Sequence, residues 1–368
     1  MKVLLCTPYL KEPGIIRGGI NIWADNVISY RNRIESDVEL IPVSFDRRNY
    51  VSVDSGVIRR MYLGLQEFSS SIKEAIRAMD DDRPDVMHIC TSASISLTKD
   101  IILLRAAKKR GIKSIVHFHF GRIPELVQQN NWEWKLLKKC AELADVAITM
   151  DMKSYRVLKD KGYHTVYCPN PLSMTIIEQV EKEKGTIARI PGKLLFVGHV
   201  LPSKGVYELV EACKRLDGVE LHIIGKAEEP VLSELKTIAY EKNEGKWCIF
   251  RGEVPHNQVL RELMSASIFA FPSYTEGFPN VILEAMACGC PIVTTKVGAI
   301  PEMLDLQGGY NYGICVEPQD TNLFYDGLKV MYQDSAYANR CAERAKRRVN
   351  DLYAIPVVWE QLQKIWRS

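Results

Sequence analysis

Twelve short apolar runs punctuate the chain, and helix-length segments separate most of them. KVLLCT, VELIPVSF, DVMHIC, KSIVHFHF, DVAITM and TVYCP come first, then KLLFVG, LHIIG, WCIFRG, SIFAFPS, PIVTT and GICVE. Runs of this length, rich in β-branched and aromatic residues and bounded by turn signals, read as strands. The intervening segments, such as LTKDIILLRAAKKRG, carry a helical pattern that stops at glycine. Strand–helix alternation dictates parallel sheets with helices on both faces, because parallel neighbours need a long crossover. The rhythm breaks at NPLSMTIIEQVEKEKGTIARIPG, residues 170–192, where Pro, Gly and charge interrupt it, so that segment reads as a linker. Two alternating runs mean two doubly wound domains, and 368 residues suit two cores of about 150–200 residues each. Ligands of such sheets sit beyond the carboxyl ends of the strands, and a cleft between the two domains is the expected place.

Composition removes several classes. No apolar run approaches the ~18 residues of a membrane span, and MKVLLCTPYL reads as a first strand, not a signal peptide. The ten cysteines form no C-x-x-C pair and most sit in apolar stretches, which points to buried thiols in a reducing cytosol. Cys288 and Cys290 read as packing. Charge is uneven: residues 1–170 hold 26 Lys and Arg against 20 Asp and Glu, and the remainder 22 against 25. The first-half surplus includes Arg31, Arg33, Arg47, Arg48, Arg59, Arg60, Lys108, Lys109 and Arg110. It is either solvated surface or a docking face for something anionic.

One stretch carries a contradiction. In EGFPNVILEAMACGCP, from Glu276 to Pro291, Pro279 suits a first helical turn, and Gly289 with Pro291 stops the helix. Residues 279–288 are therefore expected to be helical. From Val281 to Cys288 every residue but Glu284 is apolar, the pattern of a buried helix. A lone carboxylate there needs a partner. Either a neighbouring backbone group or Arg satisfies Glu284, or it faces a polar ligand.

Other candidates lie at strand ends. Gly18 and Gly19 precede a helix containing Trp23, where paired glycines let backbone N–H groups approach an anion. The spacing is not G-x-G-x-x-G, which argues against a nicotinamide cofactor. His117 and His119, two apart in VHFHFG, share one face. No third His or carboxylate stands near enough in sequence to suggest a metal site. Lys204-Gly205 follows the strand ending at Gly198, and a Lys at such a turn can meet phosphate, although this is no Walker motif.

Taken together, GHVLPSKG and, about 70 residues later, PSYTEGFPNVILEAMACGCPIVTTKVGAIPE resemble the glycosyltransferase group 1 family, retaining enzymes of family 4 type. The E-x7-E spacing, the Gly-Gly loop, His119 and the CPNP before the linker fall where that family has them. The resemblance is strongest over residues 193–302 and thin in the first half outside Gly18, Gly19 and His119.

The resemblance implies a GT-B fold: two Rossmann-like domains, 1–175 and 190–349, facing across a cleft, with a helix at about 350–368 returning to the first. It implies transfer of a sugar, with retention, from a UDP- or GDP-type nucleotide-diphosphate donor to a carbohydrate or lipid-linked acceptor hydroxyl. Polysaccharide or glycolipid assembly at the cytoplasmic face of a membrane is a common setting. By the family pattern Lys204 contacts the diphosphate, Glu276 binds donor-sugar hydroxyls, and the backbone of Gly277, Phe278, Pro279 and Asn280 approaches the sugar. Glu284 binds the ribose, Gly19 gives a close backbone contact beside Gly18, and His119 faces the sugar near the reacting carbon. His199 stands where the family often has Arg, and Arg251 is a candidate to compensate. The competing readings are a GT-B-fold epimerase and a non-catalytic sugar-nucleotide-binding subunit.

No cofactor and no nucleic acid are expected. Asp80-Asp81-Asp82 precedes the strand DVMHIC and so lies at its amino end, away from the ligand edge, which argues for metal independence. NNWEWKLLKKC mixes Trp132 and Trp134 with Lys135, Lys138 and Lys139, so weak contact with anionic membranes is also expected.

Overall fold

The computed structural model describes residues 1–9, 18–45, 57–306, 308 and 311–368, with the backbone alone over 57–65. Arg47 and Arg48 of the basic surplus lie outside the described residues, as do the side chains of Arg59 and Arg60. The chain divides into two compact units, Met1–Pro171 with Val358–Ser368, and Leu172–Val357.

In the first unit β1 (Lys2–Thr7), α1 (Gly19–Arg33), β2 (Glu39–Ser44), α2 (Val57–Asp81), β3 (Val86–Thr91) and α3 (Ser96–Lys109) come first. Then follow β4 (Lys113–Phe118), α4 (Ile123–Gln129), α5 (Trp132–Leu143), β5 (Val146–Thr149), α6 (Met152–Asp160) and β6 (Thr165–Tyr167). They form a sheet in the order β2-β1-β3-β4-β5-β6. The second unit opens with α7 (Met174–Glu183), β7 (Ile190–Val197), α8 (Val206–Lys214), β8 (Glu220–Ile224), α9 (Glu229–Tyr240), β9 (Cys248–Gly252) and α10 (His256–Ser265). It continues with β10 (Ala266–Phe271), α11 (Asn280–Ala287), β11 (Ile292–Thr295), α12 (Ile300–Met303), β12 (Ile314–Val316), α13 (Thr321–Gln333) and α14 (Ser335–Leu352). Its sheet runs β12-β11-β10-β7-β8-β9. Every strand pair in both sheets is parallel.

All twelve apolar runs are strands, and the central ones are buried on two faces. Every residue of β3 is buried, which only a strand between two helical layers requires. The strand order reverses between β1 and β3, and again between β7 and β10. Loops leaving the carboxyl ends at those two points diverge to opposite faces and open a crevice.

The tail belongs with the first unit. In α15 (Ile355–Arg367), Trp366 is buried and its Nε1 donates to His88 Nδ1 at 3.0 Å. Lys113 Nζ donates to the carbonyls of Ile365 (2.9 Å) and Trp366 (3.3 Å) at the helix end, where a cation is favoured. Arg367 Nη2 donates to both carboxylate oxygens of Asp37 at 2.7 and 2.8 Å.

Two expectations change. The segment read as a linker holds a ten-residue helix, α7, counted with the second unit. Ser173 Oγ caps it by accepting from Ile176 N at 3.2 Å, Ile176 and Val180 are buried, and Arg261 Nε lies 2.9 Å from Glu183. Its charges line the outer side of an amphipathic helix; they do not mark a break. In α5, Trp134 is 6% exposed and packs in the core with Leu137 and Cys140, while Trp132 is 54% exposed. Of the two tryptophans expected at an interface, one belongs to the interior.

The basic surplus is partly committed as well. Arg31 donates to the carbonyls of Ile34, Ser36 and Val38 beyond the end of α1. Arg110 grips Asp80 with two hydrogen bonds, 2.7 and 2.9 Å. Asp81 accepts from Arg77 at 3.1 Å. The acidic triplet thus closes α2 on the amino side of β3 with two of its carboxylates occupied.

At the second unit's switch point the loops touch. Gly205 has φ +67°, and a Cβ there would stand 2.1 Å from the carbonyl oxygen of Pro272, just after β10. Tyr274 N donates to Ser203 O at 2.9 Å across the same contact. Gly205→Ala should therefore cost about 2 kcal/mol or more, from positive φ plus a backbone clash. Urea unfolding measures it; a loss under ~0.5 kcal/mol would show that the two loops are free to separate.

Candidate functional site

Lys204 ends the turn after β7, and Glu276 sits in the loop after β10. These two strands flank the point of reversal, so side chains 72 residues apart meet: Lys204 Nζ donates to Glu276 Oε1 at 2.6 Å. Lys204 Nζ also lies 5.8 Å from the centroid of the Phe271 ring. The Glu276 loop is held from its other side. Gly298 has φ +54°, and a Cβ on it would lie 2.3 Å from Glu276 O. Ala299 N donates to Gly277 O at 2.9 Å. Thr294 Oγ1 donates to Phe271 O at 2.7 Å. The pair is thus fixed by backbone contacts from three loops.

Helix α11 follows directly. Pro279 is its N-cap, Gly289 takes φ +63° after its end, and the helix spans 280–287, close to the expected 279–288. Phe278 is buried against Tyr353, ring centroids 5.8 Å apart. The N-cap Pro279 makes no side-chain cap, and the partial positive charge of the helix start stands at the end of the Glu276 loop.

Glu284 has a partner that the sequence did not suggest. Its side chain is 13% exposed, and Oε1 lies 3.0 Å from Nε2 of His256, the first residue of α10. The hydrogen bond to Glu284 raises the His256 pKa, against the opposing pull of partial burial. That pairing favours the fold below pH 6.5 and fades as pH rises through the raised value.

The remaining candidates separate. His199 is exposed at the β7 exit. Arg251 Nη2 lies 3.7 Å from Glu262, whose other oxygen accepts from Lys193 at 2.6 Å. No hydrogen bond or ion pair among the described residues joins Arg251 to Lys204 or Glu276, so it stands with a buried pair on the α10 face. A cavity of about 710 Å³ opens at the carboxyl ends of β8 and β9, lined by Val200, Gly225, Lys226, Tyr240, Phe250 and Glu253. Lys204 and Glu276 do not line it.

In the first unit Gly18 is the N-cap of α1 and Gly19 its first residue. A Cβ at Gly19 would meet nothing within 4 Å among the described residues, and its φ is not left-handed. His117 and His119 lie ring on ring, centroids 3.9 Å apart, with Trp23 5.1 and 5.0 Å away. His88, from β3, joins them: its Nε2 is 3.3 Å from His117 Nδ1. The third histidine absent from the neighbouring sequence is thus supplied by the adjacent strand, and His88, Cys90 and His117 hold their ligand-type atoms within 4.8 Å of one another. Burial pushes the pKa of His88 and of His119 down to about 3, and that of His117 well below its usual value.

Residues 178–348 match the family model for glycosyl transferases group 1. The matched stretch, just under half of the chain, is similar to that family. The glycosyltransferase match contains His199, Lys204, Arg251, Glu276 and Glu284. Among curated proteins, TuaC of Bacillus subtilis (strain 168), named for teichuronic acid biosynthesis, is 26% identical over 67% of this chain and 60% of its own length. The capsular polysaccharide biosynthesis glycosyltransferase CapM of Staphylococcus aureus is 25% identical over 47% of this chain and 45% of its own. An N-acetylgalactosaminyltransferase of Campylobacter jejuni, named for a diphospho-undecaprenol-linked substrate, is 32% identical over 42% of each. The chain thus aligns with about half the length of these relatives. Among solved structures, sucrose-phosphate synthase from Thermosynechococcus elongatus superposes with TM-score 0.73 at 17% identity, covering 100% of this chain and 98% of that one. Anabaena HepE in complex with UDP-glucose gives 0.67 at 17%, covering 99% of each. These likenesses show the fold, which is GT-B. No helix among the described residues is long and apolar enough to cross a membrane.

The buried histidines predict acid sensitivity. Unfolded, each takes a proton near pH 6.5; folded, His88 and His119 resist it down to about 3. Unfolding therefore takes up protons, and stability is lost as pH falls below 6.5. The urea midpoint should drop between pH 7 and pH 5, and His88→Asn should flatten that slope. An equal slope in the variant would mean that other groups carry it.

Proposed function

We propose that the chain is a retaining glycosyltransferase that moves a sugar from a nucleotide-diphosphate donor to an acceptor hydroxyl, in the assembly of a cell-surface polysaccharide or glycolipid. The observation that carries this reading is the Lys204–Glu276 pair at the strand reversal of a unit that matches glycosyl transferases group 1. The names of its relatives, from capsular polysaccharide to teichuronic acid, support the setting.

The roles follow from charge. Breaking the bond to the anomeric carbon leaves negative charge on the nucleotide diphosphate. Lys204 and the amino-terminal turn of α11 are the groups suited to receive it. Glu276 accepts from hydroxyls of the donor sugar, with the backbone of Gly277, Phe278, Pro279 and Asn280 close by. Glu284 accepts from the two ribose hydroxyls, an arrangement one carboxylate can make with two neighbouring donors. In the first unit, Gly19 and His119 take the contacts that the family pattern gives them. No carboxylate is assigned as nucleophile: the departing phosphate takes the acceptor proton on the same face. Incubating the purified chain with a panel of nucleotide sugars, without acceptor, tests the reading through slow hydrolysis. A chain that binds none and hydrolyses none would overturn it.

Glu284→Ala should weaken UDP binding by about ten- to hundredfold, the worth of a charge-assisted hydrogen bond pair. Glu276→Ala should leave UDP affinity within about threefold and lower turnover instead. Calorimetric titration with UDP separates them, and equal losses in both variants would refute the division of roles.

The transfer is also proposed to need no divalent metal. The acidic triplet lies on the amino side of β3 with Asp80 held by Arg110, and Lys204 with the α11 terminus supplies positive potential. Activity should survive excess EDTA, and Asp80→Ala with Asp82→Ala should turn over near normally. A tenfold loss in EDTA, restored by magnesium or manganese, would show that a cation is part of the site.

A further inference from the structure

The first unit buries a hydrogen-bonded chain that the proposed roles leave unused. Trp366 Nε1 donates to His88 Nδ1 at 3.0 Å, and His88 Nε2 lies 3.3 Å from His117 Nδ1. The indole sets its direction, because an indole nitrogen can only donate. His88 Nδ1 must then be the acceptor, and the proton of the neutral ring sits on Nε2. That proton is directed at His117 Nδ1, so His117 in turn carries its own proton on Nε2. Both rings stay neutral, since burial disfavours their charged forms. The chain ends at His117 Nε2, a buried N–H with no acceptor among the described residues.

Two consequences follow. First, the grouping of His88, Cys90 and His117 is not a metal site in this arrangement. A metal needs a lone pair, and the Trp366 bond leaves none on His88 Nε2. Second, His117 Nε2 is not alone. Trp23 Nε1, Asn21 Nδ2 and His119 Nε2 are also buried without partners among the described residues, and Trp23 packs against all three histidine rings at 5.0–5.4 Å. Asn21 and Trp23 lie near the start of α1, whose N-cap offers no side-chain acceptor. At this corner, by the carboxyl end of β4, the N–H groups of His117, Trp23 and Asn21 have no acceptor among the described residues, and buried donors are rarely left unmade.

We propose that Trp366 and His88 are positioning residues: the tautomer they impose makes His117 Nε2–H a fixed hydrogen-bond donor to an oxygen of the bound sugar nucleotide, beside His119. The identity of the ligand rests on the functional reading above; the tautomer lock does not. A donor-only indole at the far end of the chain is what makes the difference, because without it each imidazole is free to reverse.

The test uses the full chain labelled with ¹⁵N-histidine. Long-range ¹H–¹⁵N spectra show which ring nitrogen carries the proton, and His88→Asn and His117→Asn assign the two signals among seven histidines. At pH 7 both residues should be Nε2–H. Trp366→Phe keeps a ring in place and removes the N–H; His88 should then populate the Nδ1–H form, and KM for UDP-glucose hydrolysis should rise about tenfold with a smaller change in kcat. Saturating UDP-glucose should shift the His117 Nε2 signal. A shift with UDP-glucose but not UDP identifies a sugar oxygen, and a shift with both a phosphate oxygen. An Nδ1–H proton on His88 in the unaltered chain, or one zinc ion bound per chain with loss of both Nε2–H signals, overturns the lock. An unmoved His117 signal in a chain saturated with UDP-glucose overturns the donor role. A chain that binds no UDP-glucose counts against the functional reading, and the tautomers alone then decide the lock.

Discussion

The candidate site of the second unit depends on one contact between backbones. Gly205 and the carbonyl of Pro272 approach so closely that no side chain fits between them. That approach brings the exit of β7 against the exit of β10. Parallel strand order would otherwise only place two loops near each other; the glycine lets them lock. Lys204 precedes the locked residue and Glu276 follows the facing loop, so their ion pair is a by-product of a backbone constraint. A long flexible lysine reaching from an unconstrained turn would lose much more rotamer freedom in forming the same bond.

The two units use one logic with different materials. In the second, charge is local: a lysine, two carboxylates and a helix start lie within two loops and one helix. In the first, the corresponding strand ends carry neutral polar groups, three imidazoles and an indole, whose direction is set by hydrogen bonding. Burial explains the difference. Lys204 keeps some contact with solvent, whereas His88 and His117 are wholly enclosed and are held neutral by desolvation.

Much of this was legible in the chain. Runs such as DVMHIC and KLLFVG could only be strands buried on both faces, and their alternation with helices left a parallel sheet as the one solution. Glu284 was visible because it breaks the apolar run of a buried helix, Lys204 because it stands at a strand-to-helix turn, and Glu276 through the E-x7-E spacing of the family the chain resembles. What could not be read were meetings created by topology. His256 sits in a polar turn with nothing to mark it, 28 residues before the carboxylate it holds. His88 and Trp366 are 278 residues apart, and no local pattern predicts that a C-terminal indole selects the tautomer of a strand histidine. Residues 170–192 misled in the opposite direction: charge on the outer face of α7 looked like a break in structure. Trp134 misled likewise, since an aromatic among lysines is as compatible with a core stripe as with an interface.

The return of α15 has a consequence for how the protein is made. The first unit is interrupted: its sheet is finished by residue 167, yet Trp366, Lys113's carbonyl partners and Asp37's guanidinium partner come from residues 365–367. During synthesis at ~5–20 residues per second, the whole second unit must emerge first, a delay on the order of ten to forty seconds. Through that interval His88 has a nitrogen without its donor, and the face that α15 will cover is open to water. The two units are therefore not equals in time: the one begun first is completed last, and the nascent first sheet is the part of this chain most in need of protection.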